Sequence, residues 1–304
     1  MTIAILGPGG VGGLLAGALE RAGERVVVVA RDTTAAAISA HGLRVSSVSF
    51  GEFVARPHAV AALQQPVEAL IVATKAQGMQ TALERIQAAP GLVLPLLNGL
   101  DHIAALRRRF GDESVLAGAI RVEADRPAPG VVVHTSAFLL VDMASQHPSA
   151  RGPMGALAKT LADAGVPTRV LESEAQVMWS KLVRLNALAC TTSAYDKLLG
   201  DIRSTPELRR DLEAAIEEGC AVGRAEGARD VDPAVAIAEL DRAHDTLGSS
   251  MQRDIAAGRA PELDAIPGSV LRAAARHGLR CATIERLVGV IAARAGMPAP
   301  VIAR

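Results

Sequence analysis

The stretch TIAILGPGGVGGLLAGALERAGERVVVVA, residues 2–30, decides the fold of this chain. It runs from an apolar segment (TIAIL) through GPGGVG and an alanine- and leucine-rich segment to a second apolar segment (ERVVVVA). This order predicts a strand, a tight turn, an α-helix and a second strand. Glycines spaced Gly-x-Gly-x-x-Gly between a strand and a helix are typical of loops that hold the diphosphate of a dinucleotide.

Each glycine of this loop has its own predicted task. We expect Gly7 to make the turn, Gly9 to let the backbone approach a diphosphate, and Gly12 to let the helix pack closely on the strand. The helix N-terminus would then hold the phosphates. The predicted cofactor loop comprises Gly7, Pro8, Gly9, Gly10, Val11 and Gly12. A glycine-rich turn without a ligand is the alternative, and the strand-helix-strand context disfavours it.

Arg31 and Asp32 follow the second strand, where enzymes that use NAD usually place a carboxylate on the ribose. An arginine can instead pair with the 2′-phosphate of NADP, while Asp32 can be explained as the N-cap of the next helix. We interpret the pair as favouring NADP. A contact from Asp32 to the ribose of NAD, with Arg31 a solvated surface residue, remains the alternative.

Two other strand ends carry polar residues. Lys75 lies in TKAQ (74–77) after the run Leu70–Ala73, and Asn98 precedes Gly99 after the run Leu92–Leu97. A lone lysine or Asn-Gly pair at a strand end is usually turn chemistry. Because doubly wound sheets bind ligands at their carboxyl edge, the two together favour a ligand site there.

The length of 304 residues favours two domains. Alternating β-branched and alanine-rich segments predict an α/β Rossmann-type dinucleotide-binding domain over residues 1–168, with late strands around 130–141 that close the edge of its sheet. A helix is expected at about 154–164. Helical periodicity beyond Val170 predicts an all-α domain over residues 169–304.

Composition excludes several function classes. The 32 basic and 32 acidic residues cancel, which disfavours nucleic acid and anionic membranes as partners. The N-terminal residues lack the pattern of a signal peptide, and no apolar run approaches the length of a membrane span, so we expect a soluble cytoplasmic protein. The three cysteines have neither disulfide nor metal-ligand spacing, so we expect reduced thiols and no metal.

Motifs in both halves resemble one family. The first half has the glycine loop, Arg31, TKAQ and Asn98; the second has WSKL (179–182), SSM (249–251), DI (254–255), ELD (262–264) and Gly268. Together they are similar to the ketopantoate reductase family. That resemblance implies a helical second domain like the C-terminal domain of 6-phosphogluconate dehydrogenase, and a homodimer. It also implies NADPH-dependent reduction of ketopantoate (2-dehydropantoate) to pantoate, in pantothenate and coenzyme A biosynthesis.

The resemblance also implies roles for single residues. Lys181 matches the family's proton donor, Ser250 a substrate contact, and Glu262 a catalytic residue beside cofactor and substrate. Asn98 matches a residue at the nicotinamide end that also reaches the substrate, together with Lys181. Lys75 is expected at the adenosine end, and Ala124 to offer a backbone contact to the cofactor. A lysine ammonium suits this reaction, since hydride addition to a ketone leaves an alkoxide that needs a proton.

The sequence departs from the family at the substrate. The family's asparagines four and eight residues after the lysine are here Leu185 and Ala189. Asn186 is five residues on, which places it about 140° round an α-helix from Lys181, against about 40° for four residues. A one-residue π-bulge between them would correct this, and on that hypothesis Asn186 is a substrate residue. Leu198–Gly200, Pro261 and Pro267 replace further polar family residues.

Three functional interpretations therefore stay open. The first is reduction of ketopantoate, and the second is reduction of another 2-oxo acid, ketone or imine by the same residues. The third is a non-catalytic NADP(H) sensor, which would need the glycine loop but not the matched lysine, serine and glutamate.

Overall fold

The computed structural model describes residues 1–302, and within them the chain forms two compact units. The first contains Met1–Leu97 and His102–Val177, and the second contains Asn98–Asp101 and the chain from Met178 onward. The division falls after Val177 rather than after residue 168, because residues 168–170 form a strand of the first unit. Residues 303 and 304 of the second predicted domain lie outside the described residues.

Among residues 1–302, all the strands lie in the first unit, together with five complete helices and the start of a sixth. Its strands are β1 (Thr2–Leu6), β2 (Arg25–Val29), β3 (Leu43–Ser47), β4 (Gly51–Ala55), β5 (His58–Val60), β6 (Val67–Val72), β7 (Pro90–Pro95), β8 (Ala117–Arg121), β9 (Ala124–Ala128), β10 (Val131–His134), β11 (Leu140–Ala144) and β12 (Thr168–Val170). Its helices are α1 (Gly10–Arg21), α2 (Asp32–His41), α3 (Met79–Leu83), α4 (His102–Phe110) and α5 (Arg151–Asp163), with short 3₁₀ turns at Ala76–Gly78 and Pro148–Ala150.

The central sheet has the order β5-β2-β1-β6-β7 and is parallel throughout. Apolar residues alternate along the chain between the two faces of β1: Ile3 and Ile5 belong to one buried cluster, and Ala4 and Leu6 to another. Layers on both faces explain why the strand reads as a continuous apolar run. The carboxyl ends of β1, β2, β6 and β7 lie at one edge, as expected for a Rossmann-type domain.

The later strands do not close the edge of this sheet, so that expectation is wrong. β10 lies in a four-stranded sheet of order β4-β3-β10-β9, and β11 lies in a three-stranded sheet of order β12-β11-β8. In the latter, wholly buried Asp142 pairs with Arg121 and Arg169. Burial raises the pKa of this carboxyl, but hydrogen bonds from both arginines outweigh burial and hold the pKa below its usual value.

The second unit is helical, as predicted. It holds most of α6 (Glu174–Tyr195), then α7 (Leu199–Ser204), α8 (Pro206–Ala225), α9 (Pro233–Asp241), α10 (Ser250–Ala256), a π-helix (Asp264–Gly268), α11 (Ser269–Arg276) and α12 (Ala282–Ala295). Buried Trp179 of α6 packs on Gly223 of α8, where an added Cβ would lie 3.1 Å from the indole.

Three sequence expectations concern the cysteines, membrane spans and metal ligands. Cys190, Cys220 and Cys281 are free and buried, and burial raises the pKa of each thiol, as expected for structural cysteines. Within residues 1–302, no helix is both long and apolar enough to cross a membrane. The same residues contain no group of three or more His, Cys, Asp or Glu side chains that could hold a metal ion.

Candidate active site

The glycine loop joins β1 to α1 in the first unit. Gly7 has φ +90°, a left-handed conformation that favours glycine, and its amide donates to the Val29 carbonyl at 3.1 Å. A Cβ on Gly12 would lie 2.2 Å from the Gly7 carbonyl oxygen, so α1 approaches the loop closely. A Cβ on Gly9 would meet nothing within 4 Å. The loop therefore has a fixed turn, a tight helix contact and open space at Gly9, which fits a bound diphosphate.

Two neighbours complete the surroundings of this loop. The Ala124 carbonyl oxygen would lie 2.0 Å from a Cβ on Gly10, so β9 passes directly beside the start of α1. Thr74 follows β6, and its methyl group would lie 2.8 Å from a Cβ on Gly7. The Thr74 hydroxyl oxygen is buried and has no hydrogen-bond partner among residues 1–302. An unsatisfied buried hydroxyl beside a glycine loop is what a missing phosphate or ribose partner would leave.

Thr74 did not figure among the sequence-predicted site residues. It stands in TKAQ, where a neutral threonine at a strand end is a weaker signal than the charged Lys75 beside it. Lys75 itself is exposed and stands before the 3₁₀ turn, where its carbonyl accepts from the Gly78 amide at 3.0 Å.

Arg31 is exposed and occupies the N-cap position of α2; its backbone carbonyl accepts from the amides of Thr34 and Ala35. Asp32 is the first residue of the helix, so the explanation of Asp32 as the N-cap is wrong. Its side chain is 80% exposed and lies 3.7 Å from the Arg85 guanidinium. The cap position belongs to Arg31 because the chain leaves its extended conformation there (ψ 150°).

A chain of three polar side chains forms the centre of the second unit's candidate site. Lys181 Nζ donates to Asn98 Oδ1 at 2.9 Å, and Asn98 Nδ2 donates to Glu262 Oε2 at 3.0 Å. Glu262 is buried, and Lys181 and Asn98 are half-buried. The structure thus brings together three residues that are 83 and 164 positions apart in sequence. Because lysine can only donate, its bond fixes which end of the Asn98 amide faces Glu262.

Local backbone geometry holds Asn98 against Glu262. Gly99 has φ +86°, and a Cβ there would lie 1.8 Å from the Ala265 carbonyl oxygen. Ala265 lies in the π-helix that starts two residues after Glu262. In this π-helix the Gly268 amide donates to the Leu263 carbonyl, five residues back, at 3.1 Å. Close contact at Gly99 therefore sets the separation between the Asn98 segment and the segment that carries Glu262.

The hypothesis of a π-bulge between Lys181 and Asn186 is wrong, because α6 is unbroken α-helix from Glu174 to Tyr195. Asn186 is wholly buried, accepts a weak bond from the Cys190 thiol at 3.6 Å, and has no partner for its Nδ2 among residues 1–302. Regular helix geometry keeps it about 140° from Lys181. We therefore remove Asn186 from the substrate residues. The π-helix of this unit occurs after Glu262 instead.

The adjacent serines 249 and 250 have different surroundings. Ser249 is buried and caps α10, accepting from the Gln252 amide at 3.0 Å and from the Thr192 hydroxyl at 2.8 Å. Ser250 is the first residue of α10 and is exposed. The cap bond therefore belongs to Ser249, which leaves the predicted substrate role to Ser250.

A Rossmann-type unit followed by a helical unit that carries a lysine, an amide and a carboxylate defines the class of two-domain nicotinamide-dependent oxidoreductases. Residues 3–141 match the family model described as ketopantoate reductase PanE/ApbA, and residues 175–295 match the model of its C-terminal part. The chain belongs to the ketopantoate reductase family, which confirms the resemblance and the predicted fold class.

Curated relatives extend over nearly the whole chain. The 2-dehydropantoate 2-reductase of Mycobacterium tuberculosis (strain H37Rv) is 30% identical over 97% of this chain and 98% of its own length. That of Caulobacter vibrioides is 29% identical over 97% of this chain and 99% of its own. Similarity therefore covers both the glycine loop and the helical unit.

Solved structures agree on the architecture. A PanE/ApbA family ketopantoate reductase from Ralstonia eutropha JMP134 superposes with a TM-score of 0.86 at 27% identity, covering 97% of this chain and 99% of its own. A D-mandelate dehydrogenase solved with NADH and anilino(oxo)acetate superposes with a TM-score of 0.88 at 21% identity. The match covers 97% of this chain and 99% of the dehydrogenase chain. At that identity the second likeness shows the fold alone.

Proposed function

We propose that this protein reduces the 2-oxo group of a small 2-oxo acid, with ketopantoate as the leading substrate and NADPH as the hydride donor. The observation that carries the proposal is the chain from Lys181 through Asn98 to Glu262, with bonds of 2.9 and 3.0 Å. A lysine ammonium held by an amide is suited to protonate a developing alkoxide. The first pathway to consider is pantothenate and coenzyme A biosynthesis in the cytoplasm.

The reaction requires a hydride at the carbonyl carbon and a proton at its oxygen. The bound nicotinamide supplies the hydride. Lys181 donates its proton from Nζ to the carbonyl oxygen, becomes a neutral amine, and regains a proton from solvent. Asn98 aims the Lys181 ammonium through its Oδ1, and Glu262 orients Asn98 by accepting from its Nδ2. Ser250 is proposed to donate a hydrogen bond to the substrate carboxylate.

Residues of the first unit would hold the cofactor. The diphosphate fits the open space at Gly9 and the N-terminus of α1, and the unsatisfied Thr74 hydroxyl offers one further donor. We propose that Lys75 and the backbone of Ala124 line the same site.

Arg31 supports the choice of NADPH. It is exposed at the end of β2, where the 2′-position of the adenosine ribose is read. The carboxylate of Asp32 would repel a 2′-phosphate, but Arg85 stands 3.7 Å from it and offsets that charge. Since this pair is exposed, its effect is modest, and NAD is the alternative if Asp32 dominates.

A second candidate function is reduction of a different 2-oxo acid. Leu185 and Ala189 replace the amides expected beside Lys181, and the regular α6 leaves Asn186 unable to substitute for them. A less polar surface favours a substrate with a more apolar side chain than that of ketopantoate, whose own hydroxyl needs a partner.

The deciding experiment follows the loss of reduced nicotinamide absorbance with ketopantoate and a panel of 2-oxo acids, using NADPH and NADH in parallel. Turnover of ketopantoate with NADPH is the expected result. Activity on an apolar 2-oxo acid alone would establish the second candidate. Tight binding of NADPH with no turnover on any acid or amine-supplemented mixture would identify a sensor and refute both.

A further inference from the structure

Arg272 of α11 binds two carboxylates on separate segments of the second unit. Its Nη2 and Nε donate to Asp101 Oδ2 at 2.6 and 3.1 Å, and its Nη1 donates to Asp264 Oδ1 at 2.8 Å. Nη2 also reaches the Asp264 backbone carbonyl at 2.9 Å. The arginine side chain is 23% exposed, whereas Asp101 and Asp264 are 49% and 66% exposed. The guanidinium is thus the inner member of this cluster.

The charge of this guanidinium is secure. Burial lowers the pKa of Arg272, but the hydrogen bonds that it donates to Asp264 and Asp101 outweigh burial and leave the pKa above its ordinary value. The Arg272 guanidinium therefore bridges two acidic side chains. Without it, Asp101 and Asp264 would repel each other across the gap that it fills.

Both carboxylates belong to segments that carry site residues. Asp101 ends the segment Asn98–Asp101, which begins with the amide that contacts Lys181. Asp264 begins the π-helix two residues after Glu262. Arg272 therefore connects the segment that carries Asn98 to the segment that carries Glu262. It does so at Asp101, the last residue of the segment 98–101, whereas the contact with Ala265 is made near its start, at Gly99.

We propose that Arg272 is a positioning residue for the reduction: by binding Asp101 and Asp264 together, it holds Asn98 between Lys181 and Glu262. It acts through Asn98 and not on the substrate. Lysine in its place would keep the charge but lacks the planar fork that reaches both carboxylates. The kinetic part of this inference rests on the proposed function, whereas the structural part does not.

The first test needs no activity. Hydrogen–deuterium exchange is measured for peptides that cover residues 98–101 in the wild type, in Arg272→Met, and in the control Arg276→Met. Arg276 lies one turn further along α11 and pairs with Glu226. We expect faster exchange at 98–101 in Arg272→Met alone. Exchange equal to the wild type, or equal acceleration in both variants, would overturn the proposal.

The second test separates positioning from general stability. With an accepted 2-oxo acid, Arg272→Met should lower kcat about 10- to 100-fold, since misplaced groups cost about that much. The kcat of Arg272→Lys should lie between those of Arg272→Met and the wild type. With NADPH deuterated at the transferred position, the isotope effect on kcat should rise in Arg272→Met because hydride transfer becomes slower relative to product release. A purely structural role would lower the active fraction and leave the isotope effect unchanged, which would contradict the proposal.

The two proposals can fail separately. A wild-type protein that turns over no 2-oxo acid refutes the proposed function, while the exchange experiment still decides whether Arg272 holds the Asn98 segment. If the wild type is active and Arg272→Met has the same kcat, isotope effect and exchange at residues 98–101, the inference on Arg272 is refuted and the proposed function is not.

Discussion

At the scale of single residues, Lys181 has the most direct chemical role in the proposal. Replacing Lys181 with Ala removes the proton donor while leaving the glycine loop of the first unit intact. General acid catalysis is worth about 10²- to 10⁴-fold, so kcat should fall by that factor with little change in NADPH affinity. Steady-state kinetics and a fluorescence titration with NADPH measure the two quantities.

Lys159→Ala is the matched control, since Lys159 is exposed on α5 and pairs only at the surface with Asp163. It should behave as wild type. If Lys181→Ala retained the turnover of Lys159→Ala, another group would have to supply the proton.

Gly99 is a second residue whose replacement has a defined result. Alanine there would combine an unfavourable φ of +86° with a Cβ 1.8 Å from the Ala265 carbonyl. The φ alone costs about 1–2 kcal/mol, and we expect relief of the collision to change the separation of Asn98 and Glu262. We expect Gly99→Ala to lose both unfolding free energy, measured in urea, and most of its kcat.

Gly258→Ala separates these two causes. Gly258 also has a positive φ, +65°, but a Cβ there meets nothing within 4 Å. This variant should lose about 1–2 kcal/mol of unfolding free energy and keep its kcat. Equal kcat in the two alanine variants would show that the contact with Ala265 does not position Asn98.

The site residues differ in how far the sequence could predict them. Lys181, Asn98 and Glu262 could be predicted as site residues because each stands in a motif with fixed neighbours, and in the structure Asn98 hydrogen-bonds both of the others. Arg272 could not be predicted from the sequence, because a single arginine on an amphipathic helix is usually a solvated residue. Its partner Asp101 lies 171 positions away, and only the folded chain brings them together.

At the scale of elements, β10 pairs in parallel with β3, and a buried histidine on β10 contacts a serine on β3. His134 is 1% exposed, its Nδ1 lies 2.8 Å from the Ser47 hydroxyl, and its Nε2 lies 3.3 Å from the Ser136 hydroxyl. Burial lowers the pKa of His134 below its ordinary 6.5 by more than a hydrogen bond with the Ser136 backbone raises it. The folded state therefore prefers the neutral His134 ring. The contribution of this ring to the unfolding free energy is fully present above pH 6.5.

As the pH falls below 6.5, the unfolded chain binds a proton at this ring before the folded chain does, so the unfolding free energy should decrease. In His134→Gln this part of the decrease should disappear. Urea unfolding at pH steps from neutral to acidic measures it. Exposed His147→Gln is the control and should keep the wild-type slope. An unchanged slope in His134→Gln would assign the acid sensitivity to other groups.

Elements of the fold also show what local patterns can and cannot predict. The sequence stretches that form β1, β2, β6 and β7 could be predicted as strands because buried parallel strands are continuous apolar runs. The partners of the later strands were not, since β10 pairs with β3, about ninety residues earlier in the chain, and periodicity carries no information on pairing. Local patterns also did not predict the π-helix that contains Pro267.

At the scale of the whole molecule, choice of cofactor is linked to stability. A ligand that binds only the folded protein adds about 2.7 kcal/mol to the unfolding free energy at a hundred times its Kd. Since Arg31 is proposed to read the 2′-phosphate, NADPH should raise the Tm more than the same concentration of NADH. Arg31→Ala should remove that difference and leave the effect of NADH unchanged.

The control for this last prediction is Arg25→Ala, which removes an exposed cation from the other end of the same strand, β2. The chain has equal numbers of acidic and basic residues, so no general field attracts the more highly charged cofactor. A preference lost in Arg31→Ala and kept in Arg25→Ala must then come from a local pairing. If NADH stabilised the wild type more than NADPH, Asp32 would dominate this end of the site despite its neighbour Arg85, and the enzyme would be assigned to NAD.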